Sequence, residues 1–205
     1  FLLADESHSG SRLSELLNED NDQGFAQALS VRPFSFPADH GPHPGFRNEW
    51  WYITGNLVGE DGRRFGFEIT IFRFSLTPSA PAADSAWRTN QVYIAHLAVT
   101  DPDDERFYVA QRYSRGALGL AGAQAEPLRV WIDDWHVTAE TSGGAWRLRA
   151  DDADFGIDVA LTALKQPVLN GIDGLSQLDH CVLMTAGYPS DTSNRAPVYQ
   201  RPTVA

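Results

Sequence analysis

A chain of 205 residues with 42% hydrophobic and 11% aromatic side chains holds enough apolar material for the core of one domain or slightly more, which argues against a disordered segment. Its 16 basic and 27 acidic side chains leave a formal charge of −11, which repels phosphate backbones and anionic lipid headgroups but does not disfavour a neutral apolar ligand. The single cysteine, Cys181, excludes an internal disulfide and a cysteine metal cluster.

No run approaches the roughly 18 apolar residues of a helical membrane span. The chain opens on Phe1 instead of Met, so its true start is expected upstream. Phe1-Leu2-Leu3-Ala4 has the character of the end of a signal peptide's apolar region but is too short to identify one. Residues 1–30 are polar and mixed, with Leu13, Leu16, Leu17, Phe25, Ala26 and Leu29 hinting at short helices; they read as a lead-in. Residues 31–45 hold Pro33, Pro37, Pro42 and Pro44 with Gly41 and Gly45, and proline's fixed φ and missing donor make this an extended loop. Asp39, His40 and His43 are of metal-ligand type, but no further ligand cluster follows. They read as groups that hydrogen-bond the loop onto the body.

A long β-hairpin follows, with Asp61-Gly62 at its turn. In its first strand Trp51, Ile53, Gly55 and Leu57 share one face, and Trp50, Tyr52, Thr54 and Asn56 the other. In the second, Phe65, Phe67, Ile69, Ile71 and Arg73 alternate with Glu68, Thr70, Phe72 and Phe74. Aromatics on both faces predict that both are covered, as around the cavity of a barrel or sandwich or beneath a second domain. A crowded, cavity-free sandwich core is the structural alternative.

Residues 75–90 read as a long loop anchored by Trp87. Gln91–Thr100 is a third strand, with His96 in the row of Val92, Ile94 and Ala98. Such a histidine is either a satisfied core group or an acid–base or ligand-orienting group. Arg106–Tyr113 forms a fourth strand, with Phe107, Val109 and Gln111 in one row. Residues 114–125 are small and glycine-rich, without the lysine a phosphate loop needs. Leu128–Glu140 is expected as one strand that puts Trp131 and Trp135 on the same face. Gly143-Gly144 turns into Ala145–Ala150, and Ala153–Leu161 alternates plainly.

The segments Phe36-Pro37-Ala38-Asp39-His40-Gly41-Pro42-His43-Pro44 and Glu49-Trp50-Trp51-Tyr52-Ile53-Thr54-Gly55-Asn56-Leu57 resemble the signature of the hydroxyneurosporene synthase (carotenoid 1,2-hydratase)/AttH-like family. The likeness continues through Phe65-Gly66-Phe67, Phe72-Arg73-Phe74, Ala95 to Asp101, Phe107 to Gly116, and Pro167 to Gln177. Members are lipocalin-like and are often described as predicted secreted hydrolases. The resemblance implies an all-β, antiparallel lipocalin-like barrel or sandwich, the first of two β domains, with a site in or between them. Residues 1–30 would be the lead-in, 31–177 that first domain, and 178–205 a divergent, poorly ordered tail in which the family pattern stops. A second β domain would pack on this one. The implied setting is the periplasm, cell envelope or exterior.

Two activities follow as expectations. One is non-catalytic carriage of a hydrophobic, isoprenoid or lipid-like ligand, linked to an envelope ABC transporter. The other is hydration of an isoprenoid double bond, in which a neutral carboxylic acid protonates the alkene and aromatic faces steady the carbocation. Glu49 and His96 are the catalytic candidates, with Glu68 as an alternative acid and His96 orienting water. Trp50, Trp51, Tyr52, Glu68, Arg73 and Tyr93 are the ligand-binding candidates. The structural alternative for Glu49 is a tie to Arg47 or Arg73. No cofactor or metal is expected. No Gly-x-Ser-x-Gly elbow is present, so hydrolase chemistry is discounted.

Overall fold

The computed structural model describes residues 23–200 except 60, 83–84, 140–144, 164, 179–180, 185 and 188–197, and from residue 176 onward the backbone only. The Asp61-Gly62 turn forms as its residues dictate. Gly62 takes a φ of 87°, and the Arg63 N–H donates to Asp61 Oδ1 at 3.0 Å. It joins β1 (Asn48–Val58) to β2 (Arg64–Ser75), which pair antiparallel from Val58 opposite Arg64 to Asn48 opposite Phe74. β3 (Gln91–Asp101) and β4 (Arg106–Arg115) extend this into a four-stranded meander in sequence order. Arg63 pins the β3–β4 turn to the β1–β2 turn, with Nη2 2.5 Å from Asp101 Oδ2 and 2.8 Å from Asp104 Oδ2.

A second antiparallel sheet is built from β5 (Ala121–Gln124), β6 (Leu128–Ile132), β7 (Trp135–Ala139), β8 (Trp146–Asp151) and β9 (Phe155–Leu161). Two small pairs follow: β10 (Val168–Leu169) with β13 (Ala186–Gly187), and β11 (Leu175–Leu178) with β12 (Cys181–Met184). The described residues beyond 178, in the stretch read from the sequence as a tail, lie in short strands, of which β14 (Val198–Gln200) pairs with β9. The helix expected around Leu13, Leu16 and Leu17 and the Gly143-Gly144 turn lie outside the described residues, while the one expected around Phe25, Ala26 and Leu29 is not formed, the chain there being irregular and Leu29 exposed.

The single strand expected over Leu128–Glu140 is two. Ile132 pairs with Trp135 across a two-residue turn, Asp133-Asp134, in which Asp133 takes a φ of 53°. Aspartate tolerates this left-handed conformation better than most residues, and the Asp133 N–H donates to the Leu120 carbonyl at 2.7 Å. The turn reverses the alternation beyond it. Trp135 is therefore fully buried, whereas Trp131 lies on the opposite face, its indole over Gly122 and Nε1 bonded to the Gly119 carbonyl at 2.9 Å. A β-carbon on Gly122 would meet that indole at 2.5 Å, so the glycine is required by close approach.

The two sheets do not close into a barrel, and of the two expected architectures the sandwich is the one formed. Their inner faces share one core. Leu57, Phe67, Ile69, Ile71, Ala95, Leu97 and Val99 come from the first sheet, and Val130, Ile132, Trp135, Val137, Leu148, Ile157 and Val159 from the second. The Trp135 indole donates to the Asp151 carbonyl at 2.7 Å and carries the Arg112 guanidinium 5.0 Å above its ring. Side chains that an interior cavity would have left lining a void instead bury one another, each contributing about 1.5–3 kcal/mol by leaving water. The hollow considered in the sequence reading is thus filled by the chain's own residues.

Candidate functional site

Strand register sorts the candidate residues into two places. Glu49, Arg73 and Tyr93 stand side by side on one rung of the inner face, at the end of the apolar rows, and Trp51 stands on the next rung beside Ile71. Trp50, Tyr52, Glu68 and His96 stand on the outer face of the same sheet. Glu49 and His96, paired as catalytic candidates, are on opposite faces and do not meet. Trp50, Trp51 and Tyr52, grouped as one lining, divide between the faces because a strand alternates.

The inner rung is a polar rim. Arg73 is only 1% exposed, and each of its five donor positions has an acceptor. Nε donates to Glu49 Oε2 at 3.1 Å, and Nη1 to Ser75 Oγ at 2.8 Å and Gln91 Oε1 at 3.2 Å. Nη2 donates to the carbonyls of His43 and Phe46, both at 3.0 Å. Glu49 in turn accepts the His43 N–H at 2.9 and 3.0 Å and lies 2.6 Å from His43 Nδ1. Of the two partners considered for Glu49, Arg73 is the one that holds it. Tyr93, buried on the same rung, has its phenol pushed up to about 12, mainly by burial and despite the nearby Arg73 cation.

His43 carries the rim into the proline-rich loop. Its Nε2 is 3.0 Å from Asp39 Oδ1, which also accepts from Arg32 Nη2 at 2.6 Å. Burial would raise the Asp39 carboxyl, but hydrogen bonds from Arg32, the Ser35 N–H and His43 outweigh it and hold it down at about 2. The His43 imidazole is raised, chiefly by the Glu49 hydrogen bond, with burial opposing and Asp39 assisting. The neighbouring His40 is lowered by burial. Its carbonyl accepts Trp51 Nε1 from the first sheet at 2.9 Å, and its ring sits 4.6 Å from Phe36 and 5.0 Å from Trp146 of the second sheet. Residues 32–46 therefore form a strap that joins the two sheets. The reading of Asp39 and His43 as loop-anchoring groups agrees with this geometry; among the described residues no cluster of metal-ligand type is present.

Gly41 seats the strap. A β-carbon there would lie 2.5 Å from Ala125 Cβ and 2.8 Å from its Cα, although the backbone at φ −79° is open to any residue. Gly41→Ala is therefore expected to destabilise by about 1–3 kcal/mol through overpacking alone. Thermal melts check this; Ala125→Gly added to Gly41→Ala is expected to return part of the loss, and equal stability of parent and Gly41→Ala would show that the strap is not seated there.

On the outer face the rungs run Trp50–Phe72–Ile94–Tyr113, then Tyr52–Thr70–His96–Gln111, then Thr54–Glu68–Ala98–Val109, with Phe107 beyond. Trp50, Tyr52, Phe107, Val109 and Tyr113 on the two edge strands are 41% to 67% exposed, whereas Phe72 between them is half-buried and Ile94 is buried. His96 lies 5.6 Å from the Phe72 ring, and the Tyr52 hydroxyl donates to Glu68 Oε2 at 3.3 Å. Phe72, Phe107, Val109, Gln111 and Tyr113 were not among the sequence candidates. The row Phe107, Val109, Gln111 was visible as an alternation, but alternation alone does not say which row faces outward.

Two open antiparallel sheets sharing one core, with an aromatic outer face and a strap across both, define an all-β sandwich of the lipocalin-like kind. The chain belongs to the AttH-like family, whose model matches residues 27–195. It is similar to the 2.00 Å crystal structure of a candidate AttH from Nitrosomonas europaea, at 32% identity and a TM-score of 0.63, over 75% of this chain and 45% of that one. The chain thus spans less than half the length of that relative. No protein of curated function matches it.

Proposed function

We propose that the domain binds a hydrophobic, isoprenoid or lipid-like molecule against the outer face of its first sheet, as a non-catalytic carrier. The observation that carries this is the apolar rung Trp50–Phe72–Ile94–Tyr113 that crosses all four strands, flanked by exposed Tyr52 on β1 and exposed Phe107 and Val109 on β4. Contiguous apolar surface of this kind marks a binding site more often than an ordinary solvated face. With the core filled, this reading takes the second of the two places expected for a site, between the domains and not within this one. A second β domain is the cover the reading calls for. In the relative from Nitrosomonas europaea the matched part is only 45% of the chain, which leaves room for one. A periplasmic, envelope or secreted setting and a link to an ABC transporter complete the proposal and rest on the family resemblance.

A hydratase of the hydroxyneurosporene synthase kind is the second reading. Glu68 favours it more than Glu49 does, because Glu68 accepts the Tyr52 hydroxyl and has no ion pair among the described residues, whereas Glu49 is tied to Arg73 and His43. One experiment addresses both. The protein is purified under mild conditions, its organic extract is analysed by mass spectrometry, and an acyclic isoprenoid is then added. Co-purified lipid or isoprenoid, lost in Trp50→Ser/Tyr52→Ser at unchanged melting temperature, is the expected result. A product one water heavier identifies the hydratase. No extracted ligand and no binding of the isoprenoid sinks the carrier reading.

A further inference from the structure

The outer face is zoned, and the zoning specifies the guest. On one side lie the aromatic rung Trp50–Phe72–Ile94–Tyr113 and, beyond it, Phe74 and Val92. The next rung, Tyr52–Thr70–His96–Gln111, bears a hydrogen-bonding side chain on all four strands. The rung beside the aromatic one is thus polar on every strand, with Thr70 buried and Tyr52, His96 and Gln111 the groups a guest can reach.

Several of these groups have capacity to spare. Among the described residues His96 makes a ring contact with Phe72 and no hydrogen bond. Gln111 accepts from the Tyr113 hydroxyl through Oε1 at 2.7 Å, which leaves its amide NH₂ to donate. Glu68, a diagonal neighbour of His96, receives the Tyr52 hydroxyl at 3.3 Å and keeps its other oxygen. Thr54, by contrast, is committed to the Phe67 carbonyl at 2.9 Å. A pure hydrocarbon laid over this border would bury His96 and Gln111 without partners, which is unfavourable.

Charge narrows the class further. Glu68 has no ion-pair partner among the described residues, and the chain carries −11 overall. The two arginines on this face stand at its ends and off the polar rung, Arg115 on the rung of Phe74 and Val92 beyond the aromatic one and Arg64 opposite Val58 at the far end of β2. A carboxylate or phosphate head over the polar rung would meet a like charge; a hydroxyl would not.

Resting on the ligand-binding reading above, we infer that the guest is an apolar molecule ending in a neutral hydrogen-bonding group, a hydroxyl above all. The apolar body lies on the Trp50–Phe72 side and the head on His96 and Gln111. His96 is then the residue that sets specificity between an alcohol and its parent hydrocarbon.

The test is a fluorescence titration of the unmodified chain with three probes sharing one isoprenoid skeleton: farnesol, farnesene and farnesoic acid, at a pH where the acid is ionised. Farnesol is expected to bind about tenfold more tightly than farnesene, with farnesoic acid weaker than farnesol. His96→Leu is expected to erase the preference for the alcohol and to keep the affinity for farnesene; Gln111→Leu serves if that variant does not fold. Equal affinity for alcohol and hydrocarbon, tightest binding of the acid, or an unchanged preference in both variants overturns the inference and leaves the carrier reading standing. Failure of all three probes to bind overturns both.

Discussion

Arg73→Met is expected to lower the folding free energy by about 3–5 kcal/mol, as removal of one partner from a buried ion pair does. Methionine keeps most of the aliphatic stem, so the loss is electrostatic and not a cavity effect. It leaves the Glu49 carboxylate to His43 alone and takes a donor from the Ser75 hydroxyl, the Gln91 amide and the carbonyls of His43 and Phe46, all of which now accept from a guanidinium that is 1% exposed. Urea unfolding monitored by tryptophan fluorescence reads the change as a lower midpoint at unchanged slope. Glu49→Gln should itself cost less, because glutamine still accepts the His43 N–H and the Arg73 Nε–H. In the double variant the two losses should fall short of their sum, since the charge that Arg73→Met strands is already gone. A loss below about 1 kcal/mol in Arg73→Met would mean that the rim is not a structural tie, and would return Glu49 to consideration as a proton donor.

The hairpin and the third, fourth and ninth strands were legible because their residues alternate cleanly and because Asp61-Gly62 announces its own turn. What failed was a turn with no glycine or asparagine. Asp133-Asp134 sits inside a run that alternates well enough to pass for one strand, and the reversal there decides which of Trp131 and Trp135 enters the core. Short strands such as β5 carry too few residues to show a period, and they form because β6 offers them an edge. The candidate site shows a different limit. Periodicity correctly sorted Trp50 and Tyr52 from Trp51, and His96 from Leu97. It could not say which row was inside, because both rows of β1 and β2 are rich in aromatics. That choice is made by the second sheet, whose Val130, Ile132 and Ile157 meet the row of Ile69 and Ile71. The rim was half visible: Glu49 with Arg73 was considered as a pair, but the convergence of Arg32, Asp39 and His43 depends on how the proline-rich loop folds back over β1.

The strap of residues 32–46 is expected to be held most firmly near pH 6.5 and to loosen on both sides. His43 and His40 have the same ordinary value of 6.5 and are driven in opposite directions. The folded His43 binds its proton more tightly than the unfolded one, chiefly through the Glu49 hydrogen bond. Its contribution is therefore complete below 6.5 and is lost as pH rises through the raised folded value. Buried His40 is the reverse. Its contribution is complete above 6.5 and is lost as pH falls through the lowered folded value, because a charged ring must then sit between Phe36 and Trp146. Arg32, Arg73, Glu49 and Asp39 are the other charged groups facing this cluster. Asp39, held at about 2, gives up its contribution only in strong acid, as pH falls from 3.8 towards that value. Amide hydrogen exchange of the strap, corrected for the intrinsic pH dependence of exchange and followed from about pH 5 to about pH 8.5, should show a maximum of protection. His43→Asn keeps a donor toward a carboxylate but cannot charge, and should flatten the alkaline arm. His40→Phe keeps the ring stack, and should flatten the acid arm. The two substitutions act on different arms because one histidine is bound between carboxylates and the other between aromatic rings. Protection that is level across the range in the unmodified chain, or a profile that neither variant alters, would show that the strap is held by Arg73 and the Gly41 seat alone.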